Sequence, residues 1–314
     1  MAIARQEKEN GMSRVELGIG LPTSGRYASP EAIAQVAEGA ERIGLGSVWT
    51  FDRLLRPTVP IAMGGPGGPV MDPPEAFGSV YDPLETLTYV AARTSRIRLG
   101  TSVLDSLFQN PVILARRIAT LDRLSGGRLI AGLGQGWMSQ EFEAAGVPMS
   151  RRGAGFGEHI EAMRAVWGPD PVRFDGRFHR IPESEIGPKP VRPGGPEVLV
   201  GAVAPASIDR AARLGTGLSL VIFEWGMVRD TIARFRGAAE AAGHHPSALP
   251  VVVQVNGDVT GKPLDERAPL TGSPDQVAGD LAALDELDVR HVLWMSDVEP
   301  EERLHLMERL RALA

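Results

Sequence analysis

In Trp49-Thr50-Phe51-Asp52-Arg53 a short apolar run ends on a carboxylate and a guanidinium. A carboxylate so placed can accept hydrogen bonds from the N–H groups of a heterocycle, or move a proton if burial raises its affinity for one. The plain alternative is an ion pair between the two within a loop. A second run ends Gly100-Thr101-Ser102-Val103, small residues that let a flat ring approach the backbone, although strand propensity accounts for Thr and Val equally well. A third ends Gly132-Leu133-Gly134-Gln135-Gly136-Trp137, with glycines at alternate positions that would clear one face of a strand for a ligand or for neighbouring backbone. Its alternative is a bend at a barrel rim with Trp137 in the core. Gly201-Ala202-Val203-Ala204-Pro205-Ala206-Ser207 is a small-residue turn running into a helix start, where free N–H groups and the helix dipole favour an anion. Arg151-Arg152-Gly153 could neutralise a phosphate or carboxylate, or form a solvated basic turn.

Other chemistries find no residues to carry them. The 314-residue chain has no Cys, which excludes disulfides, thiolate metal sites and a thiol nucleophile, and suits a reducing cytoplasm. Its six His show no ligand spacing, so no metal site is expected, and neither a G-x-S-x-G elbow nor a Walker loop is present. With 33 basic against 39 acidic side chains, the net charge of −6 argues against a nucleic-acid partner. No apolar run reaches the ~18 residues of a membrane span. Residues 1–14 are polar, mixed in charge and read as a loose, disordered tail. What remains is a site for a large, flat, anionic cofactor that brings its own redox chemistry, acting on a small-molecule substrate.

These residues need a frame, and the chain supplies one in alternating apolar runs and amphipathic stretches. Strands are expected at 15–21, 47–51, 98–103, 128–134, 198–203, 218–223, 250–256 and 291–295, each followed by a helix. Ser29-Pro30-Glu31 and Pro83 mark helix starts, and Gly44 and Ser125-Gly126-Gly127 mark stops. Between strands four and five an excursion is helical over 138–168, broken near 147–155, and carries a hairpin signal at Asp175-Gly176. Eight such units predict a (β/α)8 TIM barrel over residues 15–314 as one domain, its site at the C-terminal ends of the strands. A doubly wound sheet is the rival, but GLPTSGRYASP after the first strand is a poor phosphate loop. Seven Pro and five Gly fall within residues 57–83, directly after Asp52-Arg53, and predict a mobile lid over the substrate side.

The block from Gly100 to Val103 through Asn110-Pro111, then Leu114 to Trp137, and Glu141-Phe142 with Gly146 resembles the luciferase-like monooxygenases. That family covers flavin-dependent monooxygenases and oxidoreductases that use the deazaflavin coenzyme F420. The resemblance extends over SVWTFD, DPLETLTYVAARTSRIRLGT, the Arg152 to Trp167 segment, VLVGAVAPASIDRAARLGTG and TGSPDQVAGDLAALDEL. It implies a barrel holding the flavin or deazaflavin ring against a strand-three bulge, often with a non-prolyl cis peptide, here near Ser102-Val103. By the same resemblance Asp52 bonds the ring's polar edge. Thr101, Ser102, Val103, Gly134, Gln135, Gly136 and Gln140 line the cofactor, Gly201, Ala202, Val203 and Ala204 hold its phosphate, and Arg152 adds charge. Many deazaflavin members carry His where this chain has Arg53, and some dehydrogenases carry Glu where it has Trp137. Those departures point away from alcohol oxidation and toward a reductase in which Arg53 meets an anionic substrate or polarises a carbonyl or enone. The resemblance thus implies hydride transfer with F420 and a homodimer. The alternatives are a two-component monooxygenase using reduced FMN from a separate reductase, and a flavin-binding protein without catalysis.

Overall fold

The structure, a computed structural model, describes residues 15–65 and 67–314; the expected tail at 1–14 lies outside the described residues. Its strands in chain order are β1 (Glu16–Gly20), β2 (Ser47–Thr50), β3 (Ile61–Ala62), β4 (Val70–Met71), β5 (Arg98–Thr101), β6 (Leu104–Asp105), β7 (Leu129–Gly134), β8 (Val172–Asp175), β9 (Arg180–Ser184), β10 (Glu197–Gly201), β11 (Gly217–Ile222), β12 (Val251–Asn256) and β13 (His291–Met295). The helices are α1 (Pro30–Ile43), α2 (Pro83–Ala91), α3 (Pro111–Leu124), α4 (Ser139–Ala144), α5 (Ala154–Trp167), α6 (Pro205–Arg213), α7 (Trp225–Ala241), α8 (Pro274–Glu286) and α9 (Pro300–Arg311). The eight strands β1, β2, β5, β7, β10, β11, β12 and β13 pair in parallel in that order, and β13 pairs back onto β1. The ring is closed, as a (β/α)8 TIM barrel requires.

The helices begin where the sequence offers a side-chain acceptor to the first free N–H groups. Ser29 accepts from Ala32, Asp82 from Leu84 and Asn110 from Val112, each followed by Pro at the first helical position. Ser273 and Gln276 form a reciprocal capping box on α8. Gly44 closes α1 with φ 80°, a left-handed conformation that disfavours a side chain. Among the described residues no helix is long and apolar enough to cross a membrane.

Register decides what the barrel encloses, because alternate residues face its interior. At the N-terminal end Arg98 bridges Glu197 at 3.3 Å and touches the His291 ring at 3.3 Å, forming an ionic floor. Above it Trp49, Ile130, Leu199, Val252 and Leu293 make a dry middle layer separate from the outer core. Gly100 leaves room for this layer: a Cβ there would lie 2.2 Å from the Trp49 ring. The same alternation then brings Ser102, Gly134, Gly201, Ser219 and Gln254 to the mouth.

Three expectations are refined. The third strand is interrupted: β5 ends at Thr101, the Ser102–Val103 peptide is cis, and β6 resumes pairing with β7. The excursion holds α4, a short 3-10 turn at Met149–Arg151, α5 and the antiparallel β8–β9 hairpin, whose turn contains the expected Gly176. Residues 57–83 are not a featureless loop, since β3 and β4 form a hairpin there and Ile61 is buried.

Candidate active site at the barrel mouth

Asp52 leaves the end of β2, and its Oδ2 accepts the Asp105 backbone N–H at 3.1 Å. Burial is the main reason its carboxyl is pushed up to about 6, with the Asp82 and Glu141 charges adding to the effect and the Asp105 N–H opposing it. A half-buried carboxyl in that range can hold a proton near neutral pH and release it.

Arg53 is placed otherwise than the sequence suggests. It does not pair with Asp52 in a loop, nor does it stand free for an anionic substrate. Its Nη1 bonds Asp105 Oδ2 at 3.1 Å and Glu141 Oε2 at 2.8 Å, and both carboxylates are buried. The guanidinium lies between the rings of Trp137 and Phe77, 5.1 and 5.3 Å from their centroids. Glu141 Oε1 also accepts the Leu54 N–H at 2.8 Å, so the carboxylate holds both the arginine side chain and the backbone that follows it. Burial, with Asp52 and Glu141 nearby, pushes Asp105 up to about 7 despite Arg53. Trp137, offered as a core residue, forms one wall of this arginine's cage.

The remaining expected residues divide into two groups. At the mouth, the Val103 side chain fills the space left by two glycines: a Cβ on Gly134 would lie 2.6 Å from Val103 Cγ2, and one on Gly201 would lie 3.1 Å from Cγ1. Ser102 Oγ bonds Gln254 Oε1 at 2.8 Å and meets Ser219 Oγ at 3.2 Å. Gln135 Oε1 accepts the Gly153 N–H at 3.0 Å, linking the glycine run to the start of α5. The Gly136 N–H bonds the Asp105 carboxylate. Gly201 ends β10, Ala202 is buried and its N–H donates to Ser219, and Val203 and Ala204 are exposed at the start of α6. Outside this group, Thr101 is buried with its hydroxyl donated to the Gly132 carbonyl at 2.7 Å. Gln140 Oε1 accepts the hydroxyl of its neighbour Ser139 at 3.1 Å. Arg152 stands where the β3–β4 hairpin comes down on the mouth: a Cβ on Gly65 would lie 3.0 Å from its Nη1.

Four participants were not singled out in the sequence, Asp105, Arg210, Ser219 and Gln254, and Glu141 entered only as part of the family resemblance, with no role given to it. Arg210 lies on α6 with Nη2 beside Gly153, where a Cβ would be 3.4 Å away, and no described residue pairs with it. The buried Nε atoms of Arg151 and Arg152 likewise lack a hydrogen-bond partner. Arg152 and Arg210 thus lie by the start of α5 on one flank, while Gly134, Gly201 and Val103 pack together at the centre. The donor set suits an elongated cofactor with a flat ring and an anionic tail. Among the described residues no group of His, Cys, Asp or Glu could hold a metal ion.

The luciferase-like monooxygenase family model matches residues 13–260. An uncharacterised protein of Mycobacterium tuberculosis is 38% identical over 185 residues, 59% of this chain and 64% of that one, so the match spans somewhat under two thirds of the relative's length. An F420-dependent glucose-6-phosphate dehydrogenase of Amycolatopsis mediterranei is 31% identical over 205 residues, 64% of this chain and 56% of that one. Among solved structures, a monooxygenase from Streptomyces bottropensis superposes with a TM-score of 0.78 at 26% identity, covering 95% of this chain and 98% of that one. With the closed barrel, the interrupted third strand and a family match over most of its length, the chain belongs to the luciferase-like monooxygenases.

Proposed function

We propose that this protein is an F420-dependent oxidoreductase that reduces a small organic substrate at the barrel mouth. The observation that carries this reading is a protonatable carboxyl, Asp52, at the rim of the bed formed by Val103, Gly134 and Gly201. Relatives that use F420 support the choice of cofactor. The ring would rest on the Ser102–Val103 segment, with Gln135 and Gly136 beside it. Its phosphate would meet the Gly201 to Ala204 turn at the start of α6, and Arg152 and Arg210 would face the anionic tail. When bound in its reduced form, the cofactor supplies a hydride. Asp52 supplies the proton that completes a two-electron reduction and recovers one from water, so charge and atoms balance. Arg53, its charge committed to Asp105 and Glu141, positions the Asp52 loop and does not touch substrate.

The likeness to a Streptomyces monooxygenase favours a second reading, in which reduced FMN from a separate reductase occupies the same bed. Fluorescence titration of the purified protein with F420 and with FMN separates the two. Saturable F420 binding with weak or no FMN binding is expected; tight FMN binding without affinity for F420 overturns the proposal. Turnover of F420H2 with an added enone, cyclohex-2-en-1-one, then tests catalysis, and its absence across a panel of acceptors favours binding without catalysis.

A further inference from the structure

The mouth holds three acidic side chains and one cation in close array. Asp52, Asp105 and Glu141 come from three different parts of the chain, and Arg53 is the guanidinium among them. Arg53 is adjacent to Asp52 in sequence, yet its Nη1 is bonded to the other two carboxylates. Glu141 is fully buried, Asp105 nearly so, and only 13% of the Arg53 side chain is exposed, so solvent screens these charges poorly. Two buried carboxyls share one guanidinium, so little of its positive charge is left to act on Asp52, and an isolated buried charge is costly. The hydrogen bond that Asp52 accepts is from a backbone N–H.

We propose that Asp105 and Glu141, by holding the Arg53 guanidinium between them, offset the positive charge that would otherwise act on Asp52 at the mouth, which makes them positioning residues for the acid. The backbone of Asp105 orients Asp52 while its side chain holds the arginine away. Asp105 also accepts from the Gly136 N–H, so the same residue fixes the glycine run beside the cofactor bed. The other charge facing Asp52 is Asp82 at the start of α2, which is already engaged with Arg117 at 3.2 Å. Glu85 shares that arginine. Neither contact involves Arg53, and both are unchanged in the variants below.

The inference rests on Asp52 as the acid of the proposed reaction, and it can be tested without any cofactor. The protein is labelled with 13C at the Asp carboxyls, and the Asp52 resonance is identified by its loss in Asp52→Asn. In Asp105→Asn and in Glu141→Gln, Arg53 regains net charge toward Asp52, and the Asp52 midpoint is expected to fall by about one pH unit. Asp105→Glu restores the carboxylate and should return the midpoint toward that of the parent. Arg53→Met leaves the two carboxylates uncompensated and should raise it. Glu141→Gln decides the matter if Asp105→Asn does not fold. Midpoints unmoved in the folded variants, or a parent Asp52 that titrates in the ordinary carboxylate range, would overturn the proposal. A failed F420 titration would overturn the choice of cofactor and leave this result standing; a normal Asp52 midpoint in an F420-binding enzyme would do the reverse.

Discussion

At the scale of single residues, the site depends on what is missing at Gly134 as much as on what is present. A methyl group there would meet Val103 Cγ2 at 2.6 Å and Asp105 Oδ1 at 3.0 Å, and Val is too stiff at χ1 to turn aside cheaply. Gly134→Ala is therefore expected to cost about 1–3 kcal/mol in stability, the usual range for overpacking, and to weaken cofactor binding at least about tenfold. Gly201→Ala, with its nearest contact at 3.1 Å, should do less of both. Thermal melts and cofactor titration of the two variants check the order, and a Gly134→Ala protein that binds like the parent would contradict the bed. The alternate glycines were legible in the sequence as a cleared face. Their occupant was not, because Val103 reaches that space only after the chain breaks between β5 and β6. The partners of Arg53 were hidden for a similar reason: Asp105 and Glu141 lie 52 and 88 residues away, and spacing along the chain says nothing about them.

Among the elements, most helix boundaries could be read from local signals. Caps such as Ser29, Asp82 and Asn110 act on N–H groups within three residues, so sequence and geometry agree. The β3–β4 hairpin was invisible because its Gly- and Pro-rich sequence lacks a strand pattern, and it forms where Ile61 finds burial. A less obvious tie joins α1 to the turn before β5. Glu41 accepts the N–H groups of Ser95, Arg96 and Ile97 and the Ser95 hydroxyl, which hold its carboxyl at about 2. Because the folded value lies below the unfolded one, its contribution is present above about 4.5 and is lost as pH falls toward 2. Glu41→Gln should lower the melting temperature near neutral pH and narrow the gap to the parent as pH drops toward 3. The site is largely exposed, so the effect is modest. Equal losses at pH 7 and pH 3 would show that the tie is not the carboxylate's charge.

Over the whole molecule, charge is sorted along the barrel axis and around its rim. The ionic floor of Arg98, Glu197 and His291 lies below the dry middle layer and is joined there by Glu16 and Arg290. At the rim, Arg53 is neutralised and Arg303 is committed to the Gly20 and Ser296 carbonyls. Arg151 is partly engaged with His179, whereas Arg152 and Arg210 have no carboxylate partner among the described residues. These arginines flank the starts of α5 and α6, so positive potential is focused on one side of a protein whose net charge is −6. An anionic cofactor should therefore bind with a marked salt dependence that its ring contacts alone would not give. Raising ionic strength from about 0.01 to 0.15 M, which shortens the screening length from about 30 to about 8 Å, should weaken binding of the parent severalfold. Arg210→Ala should bind more weakly at low salt and lose much of that dependence, because an unpaired charge beside the Gly153 backbone is gone. A neutral ring such as riboflavin, which lacks the phosphate and tail, should be insensitive to both changes. If the Arg210→Ala protein kept the parent's salt dependence, the anion would have to be held elsewhere on the rim, and the assignment of the α5–α6 flank to the cofactor's tail would fail.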